Sequence, residues 1–209
     1  MSNIKSAFKE KAFIGFLTAG DPSIEKSEQF IIKMIEAGAD LIEIGIPFSD
    51  PIAEGPVIQA ANVRALSAGT KLKDIFELVV KLRKKYDTPI VFLTYLNPVF
   101  KYGADRFFKK CSETGVDGII IPDMPYEEKD EVKEYAKAAG VRIALENMIC
   151  TPQKYQDEQF DMLFDRYDSD FLGFAWDSGH SSLMCREDAY HFLKKYYKRM
   201  YATHLQDNE

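Results

Sequence analysis

Three apolar runs in the last third of the chain each end on a side chain that can move a proton or hold a metal. Residues 142–146 (RIALE) end on Glu146, residues 171–177 (FLGFAWD) on Asp177, and residues 200–204 (MYATH) on His204. Side chains alternate faces along a strand, so Ala144 lies with Glu146, Gly173 and Ala175 with Asp177, and Met200 and Ala202 with His204. Three consecutive strand ends therefore offer two carboxylates and an imidazole to one side. A mixed oxygen and nitrogen set suits a divalent ion such as Mn, Co, Mg or Zn and does not choose among them.

The elements that must position these groups repeat along the chain. Strand-like runs at 13–18, 41–46, 90–95, 118–122, 142–146, 171–177 and 200–204 alternate with helical patterns at 24–36, 56–68, 72–86, 104–113, 127–139, 153–167 and 186–198. Glycines at 38, 69, 115 and 140 stand just past helix ends, and Ser23 and Thr151 can cap helix starts. Such alternation predicts a parallel α/β fold, and a unit of about 30 residues predicts a (β/α) TIM-type barrel whose C-terminal strand ends share one mouth. Seven strands are recognisable and an eighth is missing or truncated, so residues 1–209 read as one domain with an open seam between the first and last strands. Unpaired edges there predict a homodimer formed through the seam. Ile121, Ala144, Ala175 and Ala202 are expected to point inward.

Composition bounds the partners. The 209 residues are 46% hydrophobic and 29% charged with a formal charge of −6, as for an ordinary soluble protein, and the basic runs at 81–85 and 194–199 read as solvated helix faces. Nucleic acid, whose phosphates need clustered Lys and Arg, is not expected as a partner. No run of 18 apolar residues predicts a membrane span, and the first residues lack the apolar core of a signal peptide, so a cytoplasmic protein is expected. Cys111, Cys150 and Cys185 have no metal-type spacing and read as reduced, passive thiols.

Four segments of the first half carry a specific resemblance: FIGFLTAGDPS (13–23), LIEIGIPFSDPIAEGPVIQAANVRAL (41–66), FLTYLNPVF (92–100) and GVDGIIIPDMPYEE (115–128). They resemble the α subunit of tryptophan synthase. That resemblance implies a barrel whose catalytic pair, in the lyase reaction of indole-3-glycerol phosphate, is Glu43 and the residue at 54. Here Glu54 stands where the family has Asp, one methylene shorter. One carboxyl protonates the indole ring and the other handles the proton of the indole nitrogen. Tyr95, in the third segment, is placed among the substrate-binding residues. Residues 47–51 read as turn chemistry, and Asp123 as a helix cap rather than a reagent. The family's glycine-rich phosphate loop and the loop after its sixth strand have no counterpart past residue 140, so a β subunit is not expected as partner.

Three later pieces, RIALENM (142–148), GFAWDSGHSS (173–182) and ATHLQDN (202–208), are similar to the xylose isomerase-like family of barrels. This second resemblance implies that Glu146, Asp177 and His204 ligate a divalent metal, that His180 contacts substrate and that Glu146 is catalytic. The ion would stabilise an enediolate during sugar isomerisation or epimerisation. The fourth ligand, on an eighth strand, is absent, so the metal is expected to be weakly held. Taken together, the resemblances predict an engineered chimera joined at Gly140: a tryptophan synthase α-like part at 1–140 and a sugar isomerase-like part at 141–209. Such a scaffold is expected to have no established activity. The alternatives are a metal-dependent sugar or sugar-phosphate isomerase or epimerase, and an indole-3-glycerol phosphate lyase.

Overall fold

A computed structural model describes residues 4–8, 12–52, 54–124, 129–148, 152–185 and 188–205. Seven strands, β1 (Ile14–Thr18), β2 (Leu41–Gly45), β3 (Ile90–Leu93), β4 (Gly118–Ile120), β5 (Arg142–Glu146), β6 (Leu172–Asp177) and β7 (Met200–His204), lie side by side in chain order. All the pairings are parallel. The sheet curls into the TIM-type (β/α) shape expected from the strand and helix alternation. Among the described residues β1 and β7 do not pair, which leaves the seam open.

Among the described residues ten α-helices connect or flank the strands: α1 (Ile4–Ala7), α2 (Ile24–Glu36), α3 (Pro56–Ser67), α4 (Leu72–Arg83), α5 (Leu96–Tyr102), α6 (Ala104–Thr114), α7 (Lys129–Ala139), α8 (Gln153–Arg166), α9 (Ser178–Met184) and α10 (His191–Tyr196). Ser23 Oγ accepts the Lys26 N–H at 3.3 Å and so caps α2. Gly115, at φ +86°, ends α6 in the left-handed region that a side chain would resist. The expected cap Thr151 and the thiol of Cys150 lie outside the described residues. Cys111 and Cys185 are buried and free, and burial pushes both thiols up, away from reactive thiolate. None of the described helices is long and apolar enough to cross a membrane.

Strand alternation builds two cores. The outer one sets Ile42, Ile44, Phe92, Ile143 and Phe174 against helix residues such as Ile31, Leu78, Phe107 and Phe160. The inner one gathers Leu41, Val91, Ile120, Ala144, Ala175 and Ala202 with Ile4 and Ala7 of α1. Ile4 packs against Gly118, the first residue of β4, where an added Cβ would lie 2.8 Å from Ile4 Cδ1. The short α1 thus plugs the end of the barrel opposite the mouth.

Two facing assignments are corrected. Ile121 belongs to the outer core, and Ile120 takes the inward place. Met200 also packs outward, because the ladder slips between β6 and β7: Phe174 aligns with Met200 but Ala175 with Ala202. The skipped residue, Tyr201, turns inward and its ring lies over Gly173. A Cβ at Gly173 would collide with the ring. We expect Gly173→Ala to destabilise the fold by about 1–3 kcal/mol through overpacking. Urea unfolding checks this, and an unchanged midpoint would show that the ring yields freely.

The aromatic residues near the end divide. Tyr190 and Tyr197 are exposed, whereas Phe192 and Tyr196 are buried in a cluster with Phe160 and Phe174.

Candidate functional site

The C-terminal ends of the strands surround a cavity of about 410 Å³. Glu43, Glu54, Tyr95, Glu146, Asp177, His180 and His204, singled out from sequence alone, all line it. Parallel strands in chain order account for this convergence, since each strand end reaches the same rim.

Glu43, in the middle of β2, is 1% exposed. His204, the last residue of β7, places Nε2 at 3.0 and 3.2 Å from the two oxygens of Glu43. Its other nitrogen, Nδ1, lies 3.2 Å from Glu146 Oε1 and 3.7 Å from Asp177 Oδ2. A protonated ring donates from both nitrogens, which matches carboxylate oxygens on its two sides. Burial alone would push the His204 pKa down, but the charges of Glu43 and Glu146 outweigh it and hold the group well above its ordinary value. Burial likewise pushes Glu146 up, and the positive ring of His204 with the hydrogen bond from His180 reverses this, holding the carboxyl at about 2. Among the described residues, Glu146 Oε2 is buried without a hydrogen-bond partner.

His180 stands on the first turn of α9. Asp177 Oδ1 accepts its backbone N–H at 2.7 Å and so caps that helix, while the ring Nδ1–H donates to the Asn147 carbonyl at 2.8 Å. The same nitrogen is 3.4 Å from Glu146 Oε1. Burial lowers the His180 pKa, but the hydrogen bond to Glu146 and the charge of Asp177 raise it further, for a net upward shift.

Sequence reasoning missed Asn147 and Ser181. The Asn147 amide donates to the Asp177 carbonyl at 3.0 Å and to Ser181 Oγ at 3.2 Å, and its oxygen accepts the Asp177 N–H at 2.9 Å. Ser181 Oγ also accepts from Trp176 Nε1 at 2.8 Å. These bonds staple the end of β5 to the end of β6 and fix the two carboxylates beside His204. The position of Asn147, immediately after a strand-end carboxylate, was the available signal.

On the other wall, Tyr95 is buried just before α5, accepts the Ile52 N–H at 3.2 Å through its hydroxyl, and packs its ring 5.3 Å from that of Phe48. Glu54 is half-buried on the same side. Burial pushes its pKa up more than its hydrogen bond with Tyr95 lowers it, and the charges of Glu146 and Asp123 add to the rise. Asp123 accepts the Leu96 N–H at 2.8 Å at the start of α5, the capping role read from sequence. His191 pairs instead with Asp157 at 2.7 Å, remote from the cavity lining.

The ion pair makes stability depend on pH in two directions. The folded pKa of Glu146 is depressed from 4.5, so its contribution is present above that value and is lost as pH falls toward about 2. The folded pKa of His204 is raised above 6.5, so its contribution is complete below 6.5 and is lost as pH rises through the folded value. The stability gap between the wild type and His204→Gln is therefore expected to be widest between about pH 4.5 and 6.5. Urea unfolding across pH 3–9 measures it, and a gap of constant size would refute the electrostatic account.

Glu146, Asp177 and His204 each offer one ligand atom within 4.8 Å of the others, the grouping that the sequence associated with Mn, Co, Mg or Zn. As arranged, however, His204 answers the carboxylates as a cation. A metal ligand must be the neutral imidazole, so a divalent ion there would have to displace the His204 proton.

Fold and mouth together define a (β/α) barrel with acid–base groups at its C-terminal rim. The sequence profile of the tryptophan synthase alpha chain family matches residues 1–171, and the chain belongs to that family. It is 55% identical to the tryptophan synthase alpha chain of Alkaliphilus metalliredigens over 126 residues, which are 60% of this chain and 47% of that one. With the alpha chain of Lacticaseibacillus casei it shares 49% identity over 144 residues, 68% of this chain and 54% of the relative. The chain thus spans about half the length of the curated relatives it matches. Among solved structures, the tryptophan synthase complex from Pyrococcus furiosus superposes with a TM-score of 0.76 at 32% identity, covering 95% of this chain and 78% of its counterpart. A structure of the α2β2 complex from the same organism gives the same TM-score and identity, with 93% of this chain and 77% of that chain covered.

These matches overturn the expectation of an engineered, inactive chimera. The family profile runs without interruption through Gly140 to residue 171, and a single family's structure covers nearly the whole chain. The sugar isomerase reading of the second half falls with it, and so does metal binding as a family trait, for which the comparisons give no support. Convergence of Glu, Asp and His at strand ends is a property of the barrel architecture, and the three short segments gave it more family meaning than it carries.

Proposed function

We propose that this chain is an alpha-type enzyme subunit that cleaves indole-3-glycerol phosphate at the barrel mouth and associates with a tryptophan synthase β subunit. One observation carries the catalytic part: Glu43 and Glu54 line the same cavity from opposite sides of it, one beside His204 and the other beside Tyr95. Glu43 is ion-paired with His204, whereas burial favours the protonated form of Glu54.

The reaction needs such a pair. A proton enters the ring carbon that carries the side chain. The bond from that carbon to the side chain then breaks as the neighbouring hydroxyl gives up its proton and becomes a carbonyl, releasing indole, while the second carboxyl handles the proton on the ring nitrogen. Tyr95 supports the Glu54 wall through its hydrogen bond, and His180 and His204 hold the opposite one.

Association with a β subunit is supported by the solved relatives, which are tryptophan synthase complexes, and it replaces the sequence-based expectation that such a partner is absent. Among the described residues the outer edges of β1 and β7 are unpaired, which supports self-association through the seam as well. Light scattering after size exclusion, alone and with a β chain, separates monomer, homodimer and mixed complex.

The direct test is indole release from indole-3-glycerol phosphate, with and without a β chain. Turnover is expected, and Glu54→Gln should lower kcat by about 100-fold because the amide has no acidic proton to exchange. No indole above background under either condition would refute the lyase reading.

A further inference from the structure

We propose that His204 is a positioning residue that holds the Glu43 carboxylate in place across the barrel mouth. The inference rests on reading Glu43 as a catalytic group. Both Glu43 oxygens face one ring nitrogen, at 3.0 and 3.2 Å, and the carboxylate lies in a site where the residue is 1% exposed. No other hydrogen bond to this carboxylate is found among the described residues.

The ring is itself fixed from the far side. Glu146 Oε1 holds Nδ1 at 3.2 Å, with Asp177 Oδ2 at 3.7 Å, and the Asn147 bridge between β5 and β6 sets those two carboxylates. Turning the imidazole about its side-chain bonds would break contacts at both nitrogens together. Glu43 is thus referenced to β5 and β6 through β7, although its own strand, β2, lies at the other end of the sheet order.

The anchoring residue lies beyond the segment that the family profile matches. Residues 1–171 contain Glu43 and Glu146, whereas His204 comes from β7. The part of the chain most like its relatives therefore supplies the carboxylate, and the remainder supplies the group that orients it.

His204→Gln and His204→Ala, each alone and with Glu43→Gln, test the role. Gln keeps volume close to that of His and one donor, so it guards against a variant that merely fails to fold. Expected are a fall in kcat of tenfold or more with KM within about twofold, and a double variant no slower than Glu43→Gln alone. Added imidazole should restore part of the turnover of His204→Ala, which a purely structural role would not allow. A crystal structure of His204→Gln should show the Glu43 carboxylate turned from its wild-type place. Glu43 unmoved in that crystal, or losses that simply add, would overturn the proposal. The lyase reading fails separately, if the wild type releases no indole. The crystal comparison decides the positioning of Glu43 even then.

Discussion

Glu43→Gln is expected to reduce kcat for indole release by about 10²–10⁴, the range typical of removing a positioned acid–base group. The substitution keeps shape and volume but leaves a group that can neither give nor accept a proton at catalytic pH. It also turns an acceptor-only carboxylate into an amide whose NH2 end donates. If that end faces His204 Nε2–H, two donors meet; if the oxygen faces it, one charge-assisted bond survives in weaker form. His204 keeps Glu146 and Asp177 as partners, so the fold is expected to persist. Steady-state assays paired with far-UV circular dichroism separate the two effects. A folded variant that retains more than about a tenth of wild-type kcat would remove Glu43 from the chemistry.

Arg83→Met is expected to produce the largest loss of stability, about 3–5 kcal/mol. At the last turn of α4 the guanidinium, with its side chain 19% exposed, donates to the carbonyls of Gly115 (2.9 Å), Tyr86 (3.3 Å) and Thr88 (2.7 Å). It also pairs at 2.5 Å with Asp117 Oδ2, the oxygen that accepts the Ile90 N–H at 3.0 Å where β3 begins. A single side chain therefore ties α4, the end of α6 and the starts of β3 and β4 together at the foot of the barrel. Met retains much of the stem but removes the guanidinium that pairs with Asp117 and binds the three carbonyls. A double-mutant cycle with Asp117→Asn should show coupling between the two positions, because the two side chains form one ion pair. A denaturant midpoint close to wild type in the single variant would show that the pair contributes little.

Periodicity and turn chemistry made most of the fold legible. Helix α2 and strands β5 and β7 have the bounds read from sequence, because Ser23 and the glycines at 38 and 140 punctuate clear apolar patterns. The short helices α1, α5 and α9 escaped, since a stretch of four to seven residues holds too few turns to show a period. The inward placement of Met200 failed for a different reason. Strict alternation assumes an uninterrupted ladder, and the slip between β6 and β7 moves Tyr201 to the inner face.

At the mouth, sequence gathered the right side chains and misread their relations. His204 was grouped with Glu146 and Asp177, which it does approach, but its contact with Glu43 was invisible. The two residues are 161 positions apart, and no local pattern records which carboxylate will face which ring across the barrel mouth. Family resemblance in short segments misled in the same place: three pieces in register suggested a second ancestry, while the profile that reaches residue 171 shows one family across the proposed joint.

Strand order that repeats chain order lets this protein assemble as it is synthesised. Each new βα unit finds its docking edge in the unit just made, so every strand pairing joins neighbours in the chain. The meeting of Glu43 with His204 closes a loop of 161 residues, whose closure entropy must be met after the intervening units are in place. The rim that joins Glu43 to His204 would then order only once β7 has emerged.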